Sequence, residues 1–271
     1  MQTILIPTDF SAQAANAAVH AAELAKAFNG KLLLFHAYML PTPVSEVPYV
    51  MVTVDELQKE NEQMIRREAE ALNQRFDIEV EWLVRIGIPS DEIKILSEER
   101  RIDLVVMGMK GVGGLDKLIG STTVNLIRKI KTPVMVIPQD APFKPLTNIA
   151  FATDLHYEMN AAAFQPVALL AKQFGSSIQV VHVKTENNGD AGQEIEWRNN
   201  AENMWHGLNY EFITVTDTNV KHGIVEYIET HHTDLLVMLA HRHGFIERLF
   251  NRSQTAAMAY ETKVPMLALH D

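Results

Sequence analysis

The sequence predicts an α/β protein built from two tandem copies of one domain, each a five-stranded parallel sheet between helices. Three observations lead there. Short apolar runs alternate with segments of helical spacing, which is the pattern of strands joined by crossover helices. The same elements then recur in the same order. The length, 271 residues, accommodates two domains of common size. Ile4-Leu5-Ile6-Pro7-Thr8-Asp9 is echoed by Ile149-Ala150-Phe151-Ala152-Thr153-Asp154, and Leu34-Phe35-His36 by Val180-Val181-His182. Asp103-Leu104-Val105-Val106-Met107 returns as Asp234-Leu235-Leu236-Val237-Met238. The offset is 145 between Asp9 and Asp154 and 132 between Pro133 and Pro265, so the second copy has a shorter middle. Such long copies are a duplicated domain rather than a solenoid. Two prolines within Gln139–Pro145 mark the linker, which divides the chain into 1–140 and 144–271.

The first copy reads element by element. Residues 3–7 are a short apolar strand. Residues 11–28 are alanine-rich with helical spacing and stop at Asn29-Gly30. Residues 31–37 are apolar throughout, as a strand covered on both faces is. Three prolines place 38–52 in a loop. Thr53 with Glu56 is a capping-box pair that opens a charged helix to about Arg75. Glu79 to Val84 alternates as a strand does, and Pro89-Ser90-Asp91-Glu92 opens a helix to about Arg101. Leu104–Met107 is a buried strand, 121–130 a helix and Val134–Ile137 the last strand. Val134–Ile137 and Met266–Leu269 are short apolar sheet edges that need cover, so the halves should pack on each other there. Strands shared antiparallel between the halves are not expected.

Composition narrows the function. There is no cysteine, which removes disulfides and thiolate metal sites. The formal charge of −10 is the wrong sign for nonspecific nucleic-acid binding. No apolar run reaches membrane-spanning length, and the first residues read as a strand rather than a signal peptide, so the cytoplasm is the expected location.

Ligands of parallel α/β sheets bind beyond the carboxyl ends of the strands. Two segments fall there. One is Pro7-Thr8-Asp9-Phe10-Ser11, after the first strand. The other runs from Gly108 through Gly111, Gly113, Gly114 and Gly120 to Ser121-Thr122-Thr123, between the fourth strand and a helix. Glycines let a backbone come close to a phosphate, and the helix N-terminus offers free N–H groups and the positive end of a dipole. Lys110 and Lys117 can offset phosphate charge. The plainer reading is a loop whose helix Ser121 merely caps.

With these residues in place, the chain resembles a tandem universal stress protein over nearly its whole length. Nucleotide-binding members of that family carry Gly-x-x-Gly, a spacer and Gly-Ser/Thr, matched here by Gly108, Gly111, Gly120 and Ser121. They also carry an aspartate after the first strand, matched by Asp9 within Pro7-Thr8-Asp9. The resemblance implies two flavodoxin-like domains of the adenine nucleotide α-hydrolase type. It implies ATP or AMP, with or without magnesium, as the ligand. Asp9 would meet the ribose and the Ala37 backbone the adenine. Met107 would lie beside the nucleotide, and Gly108, Gly111, Gly120, Ser121 and Thr122 would surround the phosphates. The spacer between Gly111 and Gly120 is one residue shorter than the family pattern, which would tighten the loop.

The second copy departs from that pattern. Aligning Ser253 with Ser121 puts Arg252 at the place of Gly120, and Leu239 or Ala240 at that of Gly108. Side chains there obstruct close phosphate approach, so the ordinary site is expected only in the first copy. Nine of the eleven histidines follow residue 150, among them His241 and His243 beside the degenerate loop. No carboxylate–histidine cluster supports zinc, and the plain reading is surface histidines, with His182 a strand-end residue like His36. Trp197 and Trp205 are expected to pack inward from one helix face. No positioned base and metal clamp for phosphoryl transfer is evident beyond Asp9, so binding is favoured over turnover. The function expected is a nucleotide-responsive stress protein, with ATP or AMP as a regulatory ligand for an unnamed protein partner. A slow ATPase and a nucleotide-independent scaffold are the alternatives. The halves pair within the chain, and a homodimer is an option.

Overall fold

The computed structural model describes residues 1–40, 53–109, 121–155, 161–185, 195, 197–198, 200–202, 205–239 and 264–270, with the side chains of Ser121, Thr122 and Val124 excepted. The first half runs β1 (Thr3–Pro7), α1 (Ala12–Ala27), β2 (Lys31–Tyr38), α2 (Val54–Phe76), β3 (Val80–Ile86), α3 (Pro89–Glu99), β4 (Leu104–Met109), α4 (Ser121–Lys129) and β5 (Val134–Pro138). The second runs β6 (Asn148–Thr153), α5 (Ala161–Phe174), β7 (Ser177–Lys184), β8 (Asn209–Thr216), α6 (Val220–Thr230), β9 (Leu235–Leu239) and β10 (Met266–Leu269).

The local signals act as their chemistry requires. The Ser11 hydroxyl caps α1 by accepting from Ala14 N–H at 3.3 Å. Asn29 at φ 49 turns the chain out of that helix. At Gly30 a Cβ would lie 2.9 Å from the Met1 carbonyl oxygen, so this close return past the first residues requires glycine. Thr53 forms the complete capping box with Glu56 at the start of α2.

The strands form one sheet in the order β3-β2-β1-β4-β5-β10-β9-β6-β7-β8. Within each half every pairing is parallel. Side chains alternate across it. Ile4 and Ile6 join Ala17 and Ile65 of α1 and α2 on one face. Leu5 joins Ile93 and Leu126 of α3 and α4 on the other. The halves meet where the sequence pattern locates their exposed edges, with Leu267 opposite Met135. That seam is antiparallel, contrary to the expectation stated above. The reason is symmetry: two copies of one edge strand facing each other about a two-fold axis across the sheet run in opposite directions. Each strand keeps its place in its own half's sheet.

The duplication is also visible in details. Asp103 accepts the N–H groups of Gln2 and Thr3 at 2.6 and 3.1 Å, and Asp234 those of Thr147 and Asn148 at 3.0 and 2.9 Å. Each aspartate thus ties the start of its half's central strand. Trp197 and Trp205 are buried around Phe151 and Phe164, though Trp205 lies beyond the helical residues and not on a shared helix face.

Candidate functional site at the strand-order reversal

In each half the chain builds outward in one direction through three strands and then resumes on the other side of the first. In the first half that reversal lies between β1 and β4, which are direct neighbours. The carboxyl ends of these two strands form the crevice at a topological switch point, and this is where such sheets take ligands. Pro7–Ser11 leaves β1 at that point, and the glycine-rich segment leaves β4 beside it.

The β1–α1 turn is tightly specified. Thr8 is buried, its N–H donates to the Phe35 carbonyl at 2.8 Å, and its own carbonyl meets His36 Nδ1 at 2.8 Å. The Thr8 hydroxyl accepts from Phe10 N–H at 3.0 Å and donates to Glu68 Oε2 at 3.1 Å. Phe10 has φ 61, a left-handed conformation costly for a bulky residue, and its ring packs 4.6 Å from that of His36. The turn leaves Asp9 exposed, with Oδ1 accepting from Ser11 N–H at 3.1 Å. Burial pushes the Glu68 carboxyl above its ordinary range, and the charge of Asp9 adds to this against the Thr8 hydrogen bond.

The other expected residues sort by position. Pro7 ends β1 opposite Phe35, and Ala37 lies near the end of β2, partly exposed. Met107 is buried in the core on the α3 and α4 side. Gly108 has a packing reason independent of any ligand: a Cβ there would lie 2.3 Å from the Gln13 carbonyl oxygen, so glycine lets the first turn of α1 close onto β4. Ser121 and Thr122 open α4. Gly111 and Gly120 lie outside the described residues, as do Lys110, Lys117, His241, His243, Arg252 and Ser253.

The second half reproduces the turn. Thr153 Oγ1 accepts from Leu155 N–H at 3.1 Å, Leu155 has φ 62, and His182 Nδ1 meets the Thr153 carbonyl at 3.1 Å. The surroundings differ. Strand register equates Leu239 with Gly108 and Val183 with Ala37. Leu239 cannot allow the helix approach that Gly108 allows. Val183 packs against α6 closely enough that a Cβ on Gly223 would lie 2.9 Å from it.

Two features escape the sequence reading. Glu68 looks like part of a solvated charged face, yet it stands three residues after buried Ile65 and four before buried Leu72, on the edge of the inward stripe. Asp217, His222 and Glu226 form a carboxylate–histidine group with ligand atoms within 4.8 Å of one another, which corrects the expectation of none. It arises because a strand end and the first turn of α6 fold together. Asp217 accepts from His222 Nδ1 at 2.6 Å and from Asn219 N–H at 2.8 Å. The pairing holds the Asp217 carboxyl below and raises the His222 imidazole above their ordinary values. Among the described residues, no helix is long and apolar enough to cross a membrane.

Comparison with known proteins bears on this arrangement. The pattern of the universal stress protein family matches twice, over residues 1–138 and 145–270. A universal stress protein of Methanocaldococcus jannaschii is 29% identical over 142 residues, covering 49% of this chain and 80% of its own. A second from the same organism is 29% identical over 150 residues, covering 49% and 93%. The crystal structure of a universal stress protein from Archaeoglobus fulgidus aligns with 98% of this chain and 97% of its own, at a TM-score of 0.77 and 18% identity, which shows the fold.

Proposed function

This chain belongs to the universal stress protein family, and from that premise we propose that its first half binds one adenine nucleotide, ATP or AMP, as a regulatory ligand. The observation that carries the reading is the convergence at the β1/β4 reversal. The turn that exposes Asp9 and the glycine-rich segment running to the start of α4 leave adjacent strands there. Asp9 offers an acceptor for ribose hydroxyls, the Ala37 backbone offers polar groups for the adenine edge, and Met107 lies on the same strand end. Gly108, Gly111, Gly120, Ser121 and Thr122 supply backbone and hydroxyl donors for phosphate at a helix N-terminus. Magnesium arriving with ATP would rest mainly on phosphate oxygens, and Asp9 is the exposed carboxylate able to meet it.

The reading divides the chain at 1–140 and 144–271, with the second domain a structural and dimerising partner or the holder of a different ligand. The reading includes a cytoplasmic location and a protein partner that senses the nucleotide state. Binding is favoured over turnover because Asp9 alone does not make a positioned base with a metal clamp. Calorimetric titration with ATP and AMP should give one site per chain. Gly120→Arg, which copies Arg252 into the first half, should weaken it by about two orders of magnitude through loss of charge-assisted N–H contacts. Two equal sites, or unchanged affinity in the variant, would overturn the assignment.

A further inference from the structure

We infer that Glu68 is a positioning residue for the first-half site, holding Thr8 and through it the turn that presents Asp9 to the nucleotide. The inference rests on the nucleotide reading above and adds a residue from a different element, α2, to the machinery.

The turn carries backbone strain, and in the first half a contact from α2 adds to what holds it. Phe10 sits in a left-handed conformation that a phenylalanine adopts only when its surroundings enforce it. The direct restraint is the Phe10 N–H bond to the Thr8 hydroxyl. A hydroxyl rotates about its C–O bond, and holding its proton elsewhere keeps a lone pair aimed at Phe10. Glu68 fixes it, accepting that proton at 3.1 Å through Oε2. One carboxylate therefore orients one hydroxyl, which orients the amide next to Asp9. Burial of the carboxyl strengthens the bond, because a half-buried acceptor has less water competing for it.

The second half serves as an internal comparison. Thr153, Leu155 and His182 make the same turn, but among the described residues no carboxylate accepts from the Thr153 hydroxyl. The added carboxylate thus occurs in the half that carries the glycine pattern and not, among those residues, in the half where Leu239 and Val183 fill the corresponding space.

The test is a double-mutant cycle read as ATP affinity by calorimetry on the full chain. Glu68→Ala should weaken ATP by about ten-fold, the scale of one lost hydrogen bond to a charged group felt through an intermediary. Glu68→Gln should stay within about two-fold of wild type, because its amide oxygen still accepts from Thr8. Thr8→Val should weaken ATP comparably, and Glu68→Ala should add little in that background. Glu70→Ala, an exposed carboxylate on the same helix, should change nothing. A full ten-fold effect of Glu68→Ala in the Thr8→Val chain would overturn the inference, as would wild-type affinity in Glu68→Ala. Loss in Glu68→Gln equal to that in Glu68→Ala would overturn it too, since charge rather than the hydrogen bond would then matter. Absence of binding of both ATP and AMP in the wild type would overturn the nucleotide reading itself, and needs no variant to detect.

Discussion

His20 lies on the buried side of α1, with Nε2 at 2.9 Å from the Ala141 carbonyl and its ring edge-on to Phe143. Asn16, one turn earlier, donates to the carbonyls of Pro138 and Ala141 at 3.2 and 3.0 Å. These side chains pin the linker to the helix that follows the Asp9 turn, so sequence-local polar residues do a tertiary job. Burial holds the His20 imidazole below its ordinary 6.5. The unfolded chain therefore takes up a proton first as the solution is acidified. The stabilisation from this group is complete above about pH 6.5 and is lost as pH falls toward the folded value. Urea unfolding at pH 7.5 and 5.5 should show a smaller acid-induced loss in His20→Gln than in wild type. Equal losses would mean other groups dominate. Gly108 teaches a related lesson: a glycine read as a phosphate contact also has a packing duty, against the Gln13 backbone.

Helix α2 shows how an element carries two kinds of information. Its inward stripe, Ile65, Ala69, Leu72 and Phe76, follows the helical period and packs on β2 and β3. Its start is set by Thr53, whose hydroxyl accepts from Glu56 N–H at 3.2 Å while Glu56 Oε2 accepts from Thr53 N–H at 2.8 Å. Thr53→Ala should cost about 1 kcal/mol of stability in chemical denaturation, the usual worth of such a cap. No loss would show that tertiary packing alone fixes the helix start. The capping box was legible in the sequence, since it is a local pattern, whereas the charges along the helix masked its inward stripe. Glu68 was not legible either, because its partner Thr8 is sixty residues away and nothing local marks the meeting.

Among the described residues the strands form one ten-stranded sheet whose halves are joined by β5 and β10. Each strand uses the other to cover an apolar edge that would otherwise expose unpaired N–H and C=O groups. The seam also continues the core, because Met135 and Ile137 share a cluster with Leu267 and Leu269. Residues 1–140 made alone would keep the β4 pairing of β5 but leave its other edge without a partner. The expected outcome is self-association through β5, seen as a dimer or larger species by light scattering, against a monomer for the full chain. A monomeric fragment would show that β5 needs no cover.

Sequence by itself determined the elements, their order and the duplication, because period, capping and repeated strings are written along the chain. It also determined which ends of which strands carry the glycine pattern and the aspartate. Tertiary structure alone decided the direction of the seam, the carboxylate behind Thr8, the trio of Asp217, His222 and Glu226, and the packing duty of Gly108. Each of these is a meeting of groups brought together by how elements stack, turn or pair. A contact across space depends on the distance and angle between elements, and no local pattern of residues encodes those quantities.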